Sequence, residues 1–355
     1  MSYDVGIKAL NLQWTERVAR TEYNDNAEIV RYFAEKYPGK PFEEVLHLDY
    51  LWVVHDGPND WSKGRVTDMG HAVYVEDGSD YRQPKPSPFK TADEVLNFNC
   101  VREYGLPDFK ALVEFYENFY RTTQAAHDAV ISGGYYKTIV SGAIQAFGWE
   151  MLLEGAGEDP DRFGEDVLGS IFEYSLHHFK AWAETSIEVF MCHDDMVWTQ
   201  GPFLHPDFYR KYIFPRYKAL WKPLKDAGKR VLFTSDGTYD MFLDDLADAG
   251  ADGFCFEPTN DLEMMVRKYG QTHVLMGGAD CRTLSFGTKA DIERELRWAF
   301  DLARGCPGFV FATGNHFPAN IPLEHALYYL DLIEELGRRD VKPQITQITQ
   351  KNAAQ

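Results

Sequence analysis

The chain is short of cysteine, of positive charge and of long apolar runs, and each shortage removes a class of function. Five cysteines in 355 residues, at positions 100, 192, 255, 281 and 306, include no CxxC pair. That excludes a disulfide framework and points to reduced thiols in a cytoplasmic protein. Cys192 and Cys255 fall inside apolar runs, where a small buried hydrophobe is the expected role. Lys and Arg total 36 against 55 Asp and Glu, a net charge of −19 spread along the chain. Nucleic acid and anionic membranes need clustered cations, so neither is expected as a partner. No window approaches the ~18 apolar residues of a membrane span. The opening MSYDVGIKAL lacks the basic and apolar regions of a signal peptide. No GxGxxG follows the first strand and no HExxH occurs, so the dinucleotide and zincin signatures are both missing.

What is present is a rhythm. Lys229 and Arg230 lead into Val231-Leu232-Phe233, which runs into Thr234-Ser235-Asp236-Gly237. This is how a buried parallel strand delivers polar side chains to the rim of an α/β sheet. A solvated turn aspartate has the same one-dimensional signature, so the other strands decide. From Lys137 onward short apolar runs alternate with helical stretches. The runs are Thr138 to Ala143, Ile187 to Cys192, Arg230 to Phe233, Gly253 to Phe256, Thr272 to Met276 and Gly308 to Ala312. Helices are expected over Pro107–Ile131, Arg162–Thr185, Pro206–Ala227, Tyr239–Ala249, Lys289–Arg304 and Pro322–Leu336. With Val45 to Val54 and an irregular first strand near Leu10 to Trp14, the count reaches about eight, as in a (β/α)8 barrel. The expected fold is a distorted barrel over residues 1–340, with an N-terminal helical extension, a β-hairpin insertion near 57–90 and a polar tail at 341–355. An open doubly wound sheet is the alternative.

On a barrel the strand ends are consistently polar: Asp49 in the second strand, Gln145 after the third, and His193, Asp194 and Asp195 after the fourth. Asp236, Glu257, Asp280, and Asn315 with His316, close the fifth to the eighth. Catalytic groups of barrels meet at this face, so the series reads as a site. Crowded carboxylates need compensation. A divalent metal, pairing with Arg17, Arg20 or Arg282, or protonation of some carboxyls would each supply it. Trp149, Trp198, Phe203, Tyr239, Phe256 and Phe317 lie near the same strand ends, as packing or as an aromatic wall.

The wording of several blocks then narrows the reading. HDDMVWTQGPFLHPDFYRKYIFPRYKAL, VLFTSDGTYDMFLDDLADAGADGF, GGADCRTLSFGTKADI and FATGNHFPANIPLEH, and more loosely ERVARTEY and HLDYLWVVHDGP, resemble the uroporphyrinogen decarboxylase superfamily. The resemblance implies a distorted barrel with its cleft at the carboxyl ends of the strands. Its decarboxylases use an arginine-rich N-terminal motif, an aspartate after the second strand, a tyrosine after the third, a serine after the fourth and a histidine after the eighth. Arg17, Arg20 and Asp49 match the first two. The tyrosine position falls near Met151, the serine on Asp195 and the histidine on Asn315, with His316 one residue out of register. A substrate bearing many carboxylates needs a basic cleft, whereas this one carries Asp194, Asp195, Asp236 and Glu257.

The superfamily also contains corrinoid-dependent methyltransferases, which resemble one another in holding zinc by a His-x-Cys after the fifth strand and a Cys after the eighth. Thr234, Asp236 and Asn315 stand there instead. An oxygen-rich site suits activation of an ether or alcohol oxygen. The leading expectation is methyl transfer between a small methylated or methoxylated substrate and a corrinoid carrier on a partner protein. Asp236, Glu257, Asp195 and Asp194 are the expected catalytic residues. Substrate is expected at Arg17, Arg20, Asp49, Trp149, Tyr239 and Asn315. A divalent metal, zinc, is expected at His193, Asp236, Glu257 and His316. The alternatives are a decarboxylase of a porphyrinogen-like or smaller acid, with Arg17 and Arg20 holding carboxylate, and a non-catalytic tetrapyrrole- or corrinoid-binding barrel. A homodimer stays open.

Overall fold

Short parallel strands with alternating inward and outward side chains form a curled wall, and helices cover its outside. The computed structural model describes residues 2–24, 26–58, 61, 64–67, 86–314 and 316–339. The strands are β1 (Ala19–Arg20), β2 (Tyr50–Leu51), β3 (Val130–Ile131), β4 (Gly133–Tyr135) and β5 (Val189–His193). After a small antiparallel pair, β6 (Val197–Trp198) and β7 (Gly201–Pro202), come β8 (Arg230–Thr234), β9 (Gly253–Cys255), β10 (Val274–Ala279) and β11 (Phe309–Thr313). Seven of them form one sheet in the order β1-β11-β10-β9-β8-β5-β4, and β2 pairs with β3 in parallel. Single backbone bonds join the two sheets, from Asp49 N to the Arg20 carbonyl (2.9 Å) and from His55 N to the Gly134 carbonyl (3.2 Å). The result is a distorted TIM barrel.

Period-two alternation puts Ala19, Tyr50, Val130, Val189, Met191, Leu232, Val274, Met276 and Val310 into one interior cluster. The helix Ser2–Leu10 plugs this core from below. Its Ala9 and Leu10 join the cluster, and Gly6 lies against Val130 and the Asp49 carbonyl, at the amino ends of β3 and β2. The outer helices pack on the opposite faces of the strands, where Phe190, Phe233, Phe254 and Phe309 belong to the larger core. No helix among the described residues is long and apolar enough to cross a membrane.

Several expected elements move. The first strand is Ala19–Arg20 rather than Leu10–Trp14, because Ala9 and Leu10 reach the core from a helix; short apolar runs suit either element. The second shrinks to Tyr50–Leu51, with Phe42–Val45 helical. The third lies at Val130–Tyr135, inside and just after the stretch read as a helix to Ile131, which ends at Ala126. Thr138–Ala143, expected as that strand, instead opens the helix Val140–Glu158. Gly134 explains the disguise: a Cβ there would stand 2.9 Å from the Val53 carbonyl, so this strand carries little side-chain signal. Most of the expected hairpin and all of the tail at 341–355 lie outside the described residues.

The seam between β1 and β2 depends on charge. Asp49 is fully buried, and Arg17 grips it with both terminal nitrogens, at 2.5 and 2.6 Å. The same carboxylate accepts the Arg20 backbone amide at 3.0 Å. Burial pushes the Asp49 carboxyl up, against the pull of Arg17, so the pair adds little over an apolar seam, yet removing one partner strands the other. Asp49→Ala is expected to lower unfolding free energy by about 3 kcal/mol, measured by urea denaturation. A loss below ~1 kcal/mol would show that the seam holds without the pair.

Candidate active site

β5 delivers three consecutive polar residues to the carboxyl end of the barrel, and strand alternation sends them to two places. His193 and Asp195 turn into the cleft, and Asp194 turns behind it. His193 Nε2 lies 2.9 Å from Asp195 Oδ1. That oxygen also accepts the Asp236 backbone amide at 3.1 Å, lashing the end of β5 to the residues after β8. Asp195 Oδ2 accepts the Tyr136 hydroxyl at 2.9 Å, and the Asp195 amide donates to Ser141 Oγ at 2.7 Å. Burial disfavours the Asp195 charge, but His193, the Asp236 amide and the Tyr136 hydroxyl outweigh it and hold the carboxyl below its ordinary range.

Asp194 has a structural position. Its carboxylate accepts the amides of Ile139 (3.2 Å), Val140 (3.1 Å) and Ser141 (2.6 Å), at the amino end of the helix Val140–Glu158. The Tyr217 hydroxyl donates to it at 2.6 Å. A carboxylate there satisfies helix amides that have no partner within the helix. Burial still pushes its pKa up to about 6.

Among the described residues, His193, Asp195 and Asp236 offer donor atoms that all lie within 4.8 Å of one another. Ligand atoms about one ion, at bonds of ~2.1 Å, stand ~3 to 3.5 Å apart. The His193–Asp195 separation already meets that distance, so one nitrogen and two carboxylates fit a divalent ion with small side-chain adjustments. Glu257, expected among the ligands, stands alongside: its Oε2 accepts the Gly237 amide at 2.8 Å. Gly237 has φ +83°, and a Cβ there would meet the Trp198 carbonyl at 2.5 Å, so the turn beside Asp236 admits only glycine. His316 is buried after β11 and is not in the trio. Asn315 lies outside the described residues. Cys255 turns inward at the register of Thr234, with burial pushing its thiol up to about 12.

The basic residues are engaged elsewhere. Arg17 holds Asp49, and Arg20 reaches Glu334 at 2.5 Å and the Leu46 carbonyl at 3.4 Å. Arg17 and Asp49 precede β1 and β2, and so sit at the end of the barrel opposite His193. Arg282 forks onto Asp280 beyond β10. Trp149 does approach the rim, with its ring 5.6 Å from that of Trp198 and 5.1 Å from that of Phe203. Trp198 is 46% exposed. Tyr239 is fully buried, its hydroxyl donating to the Cys255 carbonyl at 2.7 Å.

Two residues escaped the sequence reading. Tyr136 follows the glycine-rich β4, which was not recognised as a strand. Glu22 follows β1 inside ERVARTEY, beside Arg17 and Arg20. Its carboxylate accepts the Thr313 amide (3.2 Å) and hydroxyl (2.6 Å) and the Tyr329 hydroxyl. Neither residue carries the signal of the other strand ends, because β1 is only Ala19–Arg20 and β4 is Gly133–Tyr135.

A profile of the uroporphyrinogen decarboxylase (URO-D) family matches residues 68–336. The chain belongs to this family. It is 27% identical over 180 residues to the uroporphyrinogen decarboxylase of Carboxydothermus hydrogenoformans, covering 51% of this chain and 49% of the relative. The Thermus thermophilus enzyme of that name is likewise 27% identical over 180 residues, covering 49% of this chain and 51% of the relative. The matches span about half the length of these curated relatives. A methyltransferase from Methanosarcina mazei superposes over 94% of this chain and 98% of its own, with TM-score 0.64 and 17% identity. At that identity the likeness concerns the fold. The curated relatives carry the name of a decarboxylase and the structural neighbour that of a methyltransferase.

Glu22 generates a pH prediction. Burial raises its pKa to about 7, against the pull of Thr313, Tyr329 and Arg20. A carboxyl with a raised native pKa binds more protons folded than unfolded between about pH 4.5 and 7, so its contribution to stability falls as pH rises through that window. Glu22→Gln is expected to flatten this slope and to gain about 2 kcal/mol on wild type between pH 4.5 and 7.5. Parallel pH profiles of the two proteins contradict the assignment.

Proposed function

We propose that the protein moves a methyl group from a small methylated or methoxylated substrate to a corrinoid carried by a separate protein, using a divalent metal, with zinc the first candidate. The observation that carries this reading is the convergence of His193, Asp195 and Asp236 at the carboxyl ends of β5 and β8. An ion held there would supply Lewis-acid polarisation of the substrate oxygen. A reduced corrinoid brought by the partner would accept the methyl group, while the substrate oxygen would keep the electron pair of the broken carbon–oxygen bond and take up a proton.

The chain's own residues do the positioning. The rings of Trp52 and Tyr136 flank the imidazole, with centroids 5.3 and 3.9 Å from it, and fix its orientation. Glu257, tied to the Gly237 amide, stands beside Asp236 as the group to pass a proton to the departing oxygen. Trp149, Trp198 and Phe203 pack their rings together as an apolar wall at the rim. The name of the Methanosarcina mazei neighbour agrees with this reading.

Decarboxylation is the second reading, favoured by the names of the curated relatives. The engagement of Arg17 by Asp49 and of Arg20 by Glu334 weighs against it, because a substrate carboxylate would have to displace a bound partner.

Metal analysis of the purified protein, followed by methyl transfer to or from cobalamin, tests the choice. One equivalent of divalent metal is expected, with His193→Ala and Asp236→Asn losing it and losing transfer by about 10²-fold or more. Metal-independent release of labelled carbon dioxide from a carboxylic acid selects the decarboxylase instead. Cobalamin binding without turnover selects a carrier.

A further inference from the structure

We propose that Tyr136 is a positioning residue that presents Asp195 to the metal through a single oxygen, leaving a coordination position open for substrate. This rests on the metal reading above and concerns a residue that the site's ligand set does not include.

Tyr136 is itself held firmly. Asp56 Oδ1 accepts its backbone amide at 2.7 Å and that of Lys137 at 3.3 Å, pinning the turn that follows β4. From that anchor the side chain does two things. Its ring packs on the His193 imidazole, centroid to centroid at 3.9 Å, and its hydroxyl donates to Asp195 Oδ2 at 2.9 Å. One half-buried side chain therefore touches two of the three candidate ligands from behind.

The division of labour between the two oxygens of Asp195 follows. Oδ2 is taken by the Tyr136 hydroxyl, whereas Oδ1 faces His193 Nε2 at 2.9 Å beside the Asp236 amide. An ion at the trio would therefore receive one Asp195 oxygen. Without the hydroxyl, Oδ2 would be released from its hydrogen bond and could compete with a substrate oxygen for an ion held at the trio. Hydrogen bonds of this outer kind orient ligands and change metal affinity by ~10- to 100-fold. Ser141 Oγ, which accepts the Asp195 amide, holds the backbone and leaves the choice of oxygen to Tyr136.

The test is titration calorimetry of the full chain with Zn²⁺ and Co²⁺, together with the visible spectrum of the Co²⁺ form and a thermal melt. Four proteins are compared: wild type, Tyr136→Phe, Tyr136→Leu and His193→Ala. Tyr136→Phe keeps the ring and is expected to melt like wild type while binding metal ~10- to 100-fold differently and showing an altered Co²⁺ spectrum. Tyr136→Leu, which also releases the imidazole, is expected to depart further. Wild-type affinity and spectrum in Tyr136→Phe, with binding lost in His193→Ala, overturn the role of Tyr136 and leave the metal site standing. Failure of wild type to bind metal, or His193→Ala binding as wild type does, overturns both.

Discussion

The alternation of side chains past the end of β5 is the constraint on which the site depends. His193, Asp194 and Asp195 are adjacent in sequence and ionisable, yet the strand period separates them. Two meet in the cleft, and the third goes behind it to the amino end of the helix Val140–Glu158. A one-residue slip of β5 against β8 would bury the imidazole and bring Asp194 into the cleft. The register His193↔Thr234 therefore decides which of the three side chains faces the cleft.

Electrostatics explains why the arrangement is tolerable. Asp194 is surrounded by helix amides and the Tyr217 hydroxyl, so its charge is solvated by the protein although burial opposes it. Asp195 has His193 and two donors, the Asp236 amide and the Tyr136 hydroxyl, around its carboxylate, and they hold it below its ordinary range. Two neighbouring carboxylates thus acquire opposite shifts from different surroundings. Hydrogen bonds and one imidazole do this work, and the arginines of the N-terminal segment stay with their own acids at the other end of the barrel.

The barrel itself was legible in the chain, and so was the face that carries the site. Runs such as Val231–Thr234 and Phe309–Thr313 are apolar on both faces because they are covered inside and out, and that leaves a continuous signal. β4 left none, because its glycines allow close backbone approaches, and Tyr136 was overlooked with it. His193, Asp195 and Asp236 were all suspected. Among the described residues the donor atoms that group together are those of His193, Asp195 and Asp236, a distance relation that strand ends taken one by one do not carry.

What the sequence determined alone was the repeating strand and helix, the acidic strand ends and the family to which the blocks from His193 to His325 point. These follow from local burial patterns and local wording, which a one-dimensional chain retains. Only the tertiary structure decided which carboxylates share a centre, which one caps a helix, and which acids hold Arg17 and Arg20. Those outcomes depend on strand register and on contacts between residues tens to hundreds of positions apart, such as Asp195 with Asp236 and Arg20 with Glu334. Identity along the chain does not encode such distances; closure of the barrel creates them.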